Sequence, residues 1–182
     1  MKPEILLNNG RYFDFVEPKQ TAIDINTIAH ALSHICRFTG HVRSFYSVAQ
    51  HSILVSYVVP RGYELAGLLH DAPEAYIGDV AAPLKQLLPD YKAIEQRVEA
   101  AVFKKFGLPA ELPVCVKHAD LRALATELRD LMPDSPYLGE FEAQGIIPVK
   151  NHDITPLQPS IAKMLFLERY KQITQMQVEV AA

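Results

Sequence analysis

A chain of 182 residues is long enough to bury a substantial core, and 1–182 reads as one domain. Its 49% apolar and 21% charged residues are the composition of a folded protein, not of a disordered one. A net charge of −3 excludes general attraction to polymeric nucleic acid or an acidic membrane, and two cysteines, Cys36 and Cys115, exclude a disulfide framework. No apolar run approaches the ~20 residues needed to cross a bilayer, and the first ten residues lack the apolar segment of a secretory signal. The expected setting is therefore the reducing cytoplasm.

In chain order, Ile5–Asn8 and Arg11–Phe15 flank Asn9-Gly10, which predicts a β-hairpin with a two-residue type I′ turn. Helical spacing then takes over. Ile25, Ile28, Ala29, Leu32, Ile35 and Cys36 define a first helix, with Asp24 placed to cap it. A second runs from about Ser47 to Val58 and stops before Pro60. A third covers Tyr63 to about His70, after which Pro73 predicts a kink or a restart, and Gly78 and Pro83 end the stretch. Asp90 is the expected N-cap of a helix over Tyr91–Phe106, closed by Gly107. Another helix spans about Pro113 to Met132, and a last one about Pro159 to Met176. Between them, Pro133–Thr155 reads as a loop, long enough to be either functional or mobile. The fold class expected is all-α, a helical bundle carrying a short N-terminal hairpin.

The strongest chemical signal is Leu68-Leu69-His70-Asp71-Ala72-Pro73-Glu74. Adjacent His and Asp on a helix point ~100° apart, so a cation between the two directions is within reach of both. Glu74 follows at i+4 and i+3 from them and projects from the same face. Imidazole with carboxylate is a suitable ligand set for Zn, Mn, Fe, Co or Ni. The alternative is a helix end that happens to carry polar residues. His51, in an apolar helix, is by itself more often a hydrogen-bonded core residue. Asp120 lies early in its helix, and an Asp in a first turn is by itself more often a helix-dipole charge. His30, His34 and His41 form a weaker cluster near Arg37, where a second metal is a minor alternative.

The order His51 … His70-Asp71 … Asp120 resembles the HD-domain superfamily of metal-dependent phosphohydrolases. Three stretches sharpen the likeness: His30–Phe38, Phe45–Ser52 and Leu69–Val80 are similar to the small HD hydrolases of phages and prophages, a group close to 5′-deoxynucleotidases and phage dATP triphosphohydrolases. The resemblance implies an HD-domain helical bundle holding one divalent cation (Mn, Co, Zn, Fe, Ni or Mg) on His51, His70, Asp71 and Asp120. It implies Glu74 and Asp79 as the groups that steer the attacking water or hold an additional metal. Arg37 and Lys85 are the implied phosphate ligands, Lys117 and His118 weaker ones, and Phe38 a surface on which a base can stack. Surface charge is the alternative for Lys85 and Lys117. Related deoxynucleotidases carry Arg-Trp where this chain has Arg37-Phe38, so base and sugar choice do not carry over. Nineteen positions from His51 to His70 is a short interval, which requires a tight connection at Pro60-Arg61-Gly62.

A free deoxynucleotide is the expected substrate. Release of whole triphosphate from a dNTP is favoured over release of phosphate from a dNMP. A nucleotide-binding regulatory module with a structural metal is the alternative of a different class. A homo-oligomer is expected, with no membrane and no polymeric nucleic acid as partner.

Overall fold

The computed structural model describes residues 2–181. Strands β1 (Glu4–Leu6) and β2 (Tyr12–Asp14) pair antiparallel, with Ile5 opposite Phe13. The turn between them differs from the expected type I′. Gly10 N–H donates to Leu7 O (3.0 Å) and Leu7 N–H to Arg11 O (2.8 Å), and of the turn residues only Gly10 has a positive φ, 79°. This is a wider loop with a glycine bulge. The reason is that Asn9 is employed elsewhere: its Nδ2 donates to Asp24 Oδ2 (2.8 Å) and Thr27 Oγ1 (3.0 Å), tying the hairpin to the first helix. Phe13 is fully buried and stacks on Tyr76, while its strand neighbour Tyr12 faces out, as the two-residue period requires.

Nine helices follow among the described residues: α1 (Ile25–His34), α2 (Val48–Val58), α3 (Glu64–Leu69), α4 (Glu74–Ile77), α5 (Ala82–Lys85), α6 (Pro89–Lys105), α7 (Val114–Leu131), α8 (Tyr137–Ala143) and α9 (Pro159–Ala181). Asp24 caps α1, accepting from Thr27 N–H at 3.0 Å. The helix ends at His34, earlier than its apolar spacing suggests, because Cys36 turns to bridge with Ser47, the cap of α2. Pro73 restarts the helix: α4 begins directly after it and ends at Gly78, whose φ of 80° no other residue type adopts easily. Asp90 is not a cap. Pro89 takes the first position of α6, so Asp90 sits inside the first turn, where its charge suits the helix dipole.

The segment 133–155 is not wholly loop, since α8 occupies Tyr137–Ala143. Much of the remainder is fastened to α7. Val149 N–H donates to Thr126 Oγ1 (2.9 Å), Ile154 N–H to Asp130 Oδ2 (2.9 Å), and Arg122 Nε to Ile147 O (3.1 Å).

Helix α2 is the central element and packs against α1, α3, α7 and α9. A large apolar cluster joins Phe13, Ile28, Leu32, Val48, Leu68, Leu69, Phe166 and Ile173. A smaller one joins Leu54 and Val55 of α2 to Ala66 of α3 and to Val116, Ala119 and Ala123 of α7. Two contacts fix the helices closely. A Cβ on Gly67 would lie 3.0 Å from both Cγ atoms of Val59 and 3.2 Å from Ser56 Cα, so glycine permits the approach of α3 to α2. Arg169 of α9 is buried, donates to Ser56 Oγ and O (both 3.0 Å), and lies 3.9 Å from the centroid of the Tyr57 ring. No described helix is long and apolar enough to cross a membrane.

Candidate metal centre

Three elements meet at one point. The middle of α2 supplies His51, the α3–α4 junction supplies His70 and Asp71, and α7 supplies Asp120. His51, His70 and Asp120 each bring one ligand atom within 4.8 Å of the other two. His51 Nε2 lies 3.2 Å from His70 Nε2 and 3.3 Å from Asp120 Oδ1. Asp71 Oδ2 lies 3.4 Å from His51 Nε2 and 3.2 Å from His70 Nε2.

The far side of each ring shows why these atoms converge. His51 Nδ1–H donates to Glu127 Oε1 at 2.6 Å, and His70 Nδ1–H donates to Gly67 O at 2.8 Å. Both Nε2 atoms are thereby left as lone-pair donors aimed into a space they share with two carboxylates. Four such groups repel one another unless a positive charge sits between them. His51 reports that demand. Burial and Arg37 oppose its charged form, yet Glu127 and Asp120 outweigh them and raise its pKa to about 9. Burial likewise opposes ionisation of Asp71 and Asp120, but the facing imidazoles hold both well below the ordinary carboxylate range. A cluster that captures a proton this firmly is suited to a divalent cation, and two imidazoles with carboxylates form a suitable donor set. The buried His51, His70 and Asp120 cluster can therefore coordinate a divalent metal.

Glu127 was not singled out from the sequence. It is fully buried, and besides His51 it accepts from Arg37 Nε (3.1 Å) and Nη2 (2.8 Å). Arg37 and then His51 hold its carboxyl below the usual value against the effect of burial. A signal was present: Glu127 follows Asp120 by seven positions, which returns it to the same helix face. Gly67, three residues before His70, was missed as well.

A cavity of about 340 Å³ opens over the centre. Asp71, Glu74 and Asp120 lie in its walls, together with Arg37, Phe38, Asp79, Lys85 and Lys117. Arg37 is not the free fork the sequence suggests. One edge of its guanidinium is held by Glu127, and Nη1 lies 3.7 Å from Asp71 Oδ2. Lys85 is paired to Glu95 (2.5 Å) and lies 3.9 Å from Glu74 Oε1. Lys117 donates to Asp120 Oδ2 at 2.7 Å from an otherwise exposed position. Glu74 is buried, and its Oε2 has no hydrogen-bond partner. Burial, then Asp71 and Asp79, raises its pKa well above normal, and burial also raises that of Asp79. Phe38 and Thr39 hold φ of 54° and 53°, a left-handed geometry costly for non-glycine residues, on the cavity wall. His118 is exposed and lines neither this cavity nor its neighbour beside His70. The rings of His30 and His34 lie 4.3 Å apart, tilted by 41°, but His34 Nδ1 is engaged by His30 O, and among the described residues they gather no third metal ligand.

Fold and centre together define a largely helical metal-binding protein with a small β-hairpin, whose buried His-His-Asp triad is consistent with metal-dependent hydrolysis in general. No family model matches the chain. It is 44% identical over 170 residues to YfdR of Escherichia coli strain K12, described as an uncharacterized protein, covering 92% of this chain and 94% of that one. It is 40% identical over 121 residues to RCAP_rcc00048 of Rhodobacter capsulatus, also described as uncharacterized, covering 61% of this chain and 62% of that one. The chain belongs to the YfdR family.

Proposed function

We propose that this protein is an HD-type metal-dependent phosphohydrolase of free deoxynucleotides, acting in the cytoplasm as a homo-oligomer, with release of triphosphate from a dNTP as its reaction. The observation that carries the reading is the meeting of His51, His70, Asp71 and Asp120 beneath a cavity walled by Arg37, Lys85 and Lys117. A divalent cation held there supplies a Lewis acid that polarises the phosphoryl group and acidifies the attacking water.

The chain's own groups do the rest. Glu74 takes the water proton, and its raised proton affinity suits it to that task. Asp79 orients the water beside it. The Nη1 edge of Arg37 and the ammonium groups of Lys85 and Lys117 offset negative charge on the phosphoryl oxygens. Phe38 closes the rim of this cavity beside Arg37.

One observation favours a second reading, phosphate release from a dNMP. Arg37 is tied to Glu127 and Lys85 to Glu95, which leaves less free positive charge than three phosphates call for. Mass analysis of products from a mixed pool of dNTPs, NTPs and dNMPs, with Mn or Co, separates the two. Triphosphate and deoxynucleoside support the first reading, and inorganic phosphate from dNMPs alone supports the second. His70→Ala is expected to abolish either activity. No turnover of any phosphoester by metal-loaded protein rejects both in favour of a nucleotide-binding module with a structural metal.

A further inference from the structure

The centre is open on a second side. A cavity of about 390 Å³ is lined by His70, Asp71 and Asp120 but by none of Arg37, Glu74, Asp79 and Lys85. Its remaining walls are different in kind. Phe103, Leu112 and Val116 form an apolar surface, with Phe103 and Val116 buried and so held in place. Glu99 and Glu111 contribute carboxylates, and Lys117 is the one cation shared with the first cavity. The same ligand cluster thus faces a space in which three cations stand among the carboxylates on one side, and an apolar, acidic space with one cation on the other.

A nucleotide is divided in the same sense. Its phosphates are anionic, and its base has apolar faces and, in adenine, cytosine and guanine, an exocyclic amino group that donates hydrogen bonds. The chemistry orders the two ends further. In both cleavages proposed above, the bond broken joins phosphorus to the nucleoside O5′. In-line displacement requires water to approach opposite that oxygen. Glu74, the group that takes the water proton, lies in the first cavity, so the nucleoside leaves toward the second.

We propose that the second cavity is the nucleoside subsite, that the base packs on the Phe103–Leu112–Val116 wall, and that Glu99 accepts from its amino group, favouring amino-bearing bases over thymine and uracil. This rests on the nucleotide reading above. As water oxygen bonds to phosphorus, its proton passes to the Glu74 carboxylate. The bond to O5′ breaks with its electron pair on that oxygen, which solvent in the open second cavity protonates.

Phosphate-free nucleosides test the subsite apart from turnover. Ala110 is an exposed residue of the second cavity's wall, so Ala110→Phe fills the space without entering the core. Binding of deoxyadenosine and thymidine to Mn-loaded protein is measured by calorimetry for the unaltered chain, Ala110→Phe, Glu99→Ala and Glu99→Gln. Melting curves and Mn affinity verify that each variant is folded and loaded. Deoxyadenosine is expected to bind the unaltered chain and not Ala110→Phe. Glu99→Ala is expected to lose a preference for deoxyadenosine over thymidine of about tenfold, the worth of one hydrogen bond to a charged group, and Glu99→Gln to retain part of it. Deoxyadenosine affinity unchanged in Ala110→Phe, or no nucleoside binding at all, overturns the subsite even if nucleotides are hydrolysed. Nucleoside binding that Ala110→Phe abolishes, in a protein that hydrolyses no nucleotide, overturns the hydrolase reading and leaves the subsite standing.

Discussion

The two histidines of the centre are held in opposite ways. His51 is fully buried in the middle of α2 and braced by a charged group from another helix, Glu127, 2.6 Å from its Nδ1. His70 sits at the end of α3, and its brace is the carbonyl of Gly67, three residues earlier in the same helix. The first brace is tertiary and electrostatic, and it reaches on to Arg37 at the cavity wall. The second is local and neutral. The contrast teaches that one ligand depends on a buried ion network and the other on how closely two helix backbones approach.

Breaking the tertiary brace has the largest expected effect. Glu127→Ala leaves Arg37 and His51 without their buried partner and is expected to destabilise the chain by about 3–5 kcal/mol, read from denaturant unfolding. Where the variant folds, Mn affinity is expected to fall by roughly 10–100-fold. Glu127→Gln, which keeps the shape and one acceptor, is the milder form. Retention of full metal affinity in both would show that His51 needs no orientation from α7.

pH probes the tertiary brace. His51 has its pKa raised to about 9, so below that value a cation must displace its proton. Metal affinity is expected to rise by about tenfold per pH unit from 7 toward 9, with one proton released on binding, as calorimetry in buffers of different ionisation heat reports. The stability of the metal-free chain runs the other way. A histidine whose pKa is raised on folding stabilises the fold fully below its unfolded value of about 6.5 and loses that contribution as pH climbs through the folded value. Melting temperature without metal is therefore expected to fall across the interval in which metal binding strengthens.

The local brace is tested by Gly67→Ala. The new Cβ meets Val59 at 3.0 Å and Ser56 Cα at 3.2 Å and pushes α3 away from α2, at a cost of about 1–3 kcal/mol. Because α3 carries His70, the metal-affinity loss is expected to exceed what the stability change alone produces. The smallest effect belongs to a site remote from both. Asp24→Ala removes the α1 cap and an Asn9 contact for about 1 kcal/mol, leaving metal affinity unchanged. Hydrogen bonds from Thr27 and Asn9 outweigh burial and depress the Asp24 pKa, so its contribution is present above the unfolded value of about 3.9 and is lost as pH falls through the folded one.

Much of the helical pattern was legible, because spacing and caps act within a few residues. Asp24 caps the helix expected of it, the second helix starts at the expected Ser47, and Pro73 restarts one. The Asp90 cap failed for a local reason, Pro89 taking the first position of α6, but other misreadings arose where a side chain had a distant employment. Asn9 is drawn to Asp24 and Thr27, so the hairpin takes a wider turn. Arg37 is drawn to Glu127, so a fork read as free for phosphate is half engaged. Part of 133–155 is quiet in composition yet held to α7 by bonds from Thr126, Asp130 and Arg122, none of which has a pattern within the segment itself.

The sequence by itself determined which residues could ligate a cation and on which helices they stand, since adjacency of His70 and Asp71 and the period of a helix are properties of a few consecutive residues. Only the tertiary structure decided that α2, α3 and α7 cross closely enough for His51, His70 and Asp120 to share one space, that Glu127 supports them from beneath, and that two unlike cavities open on either side. Those facts depend on how helices distant in the chain pack, and packing is set by the sum of many weak apolar contacts that no short stretch of sequence contains.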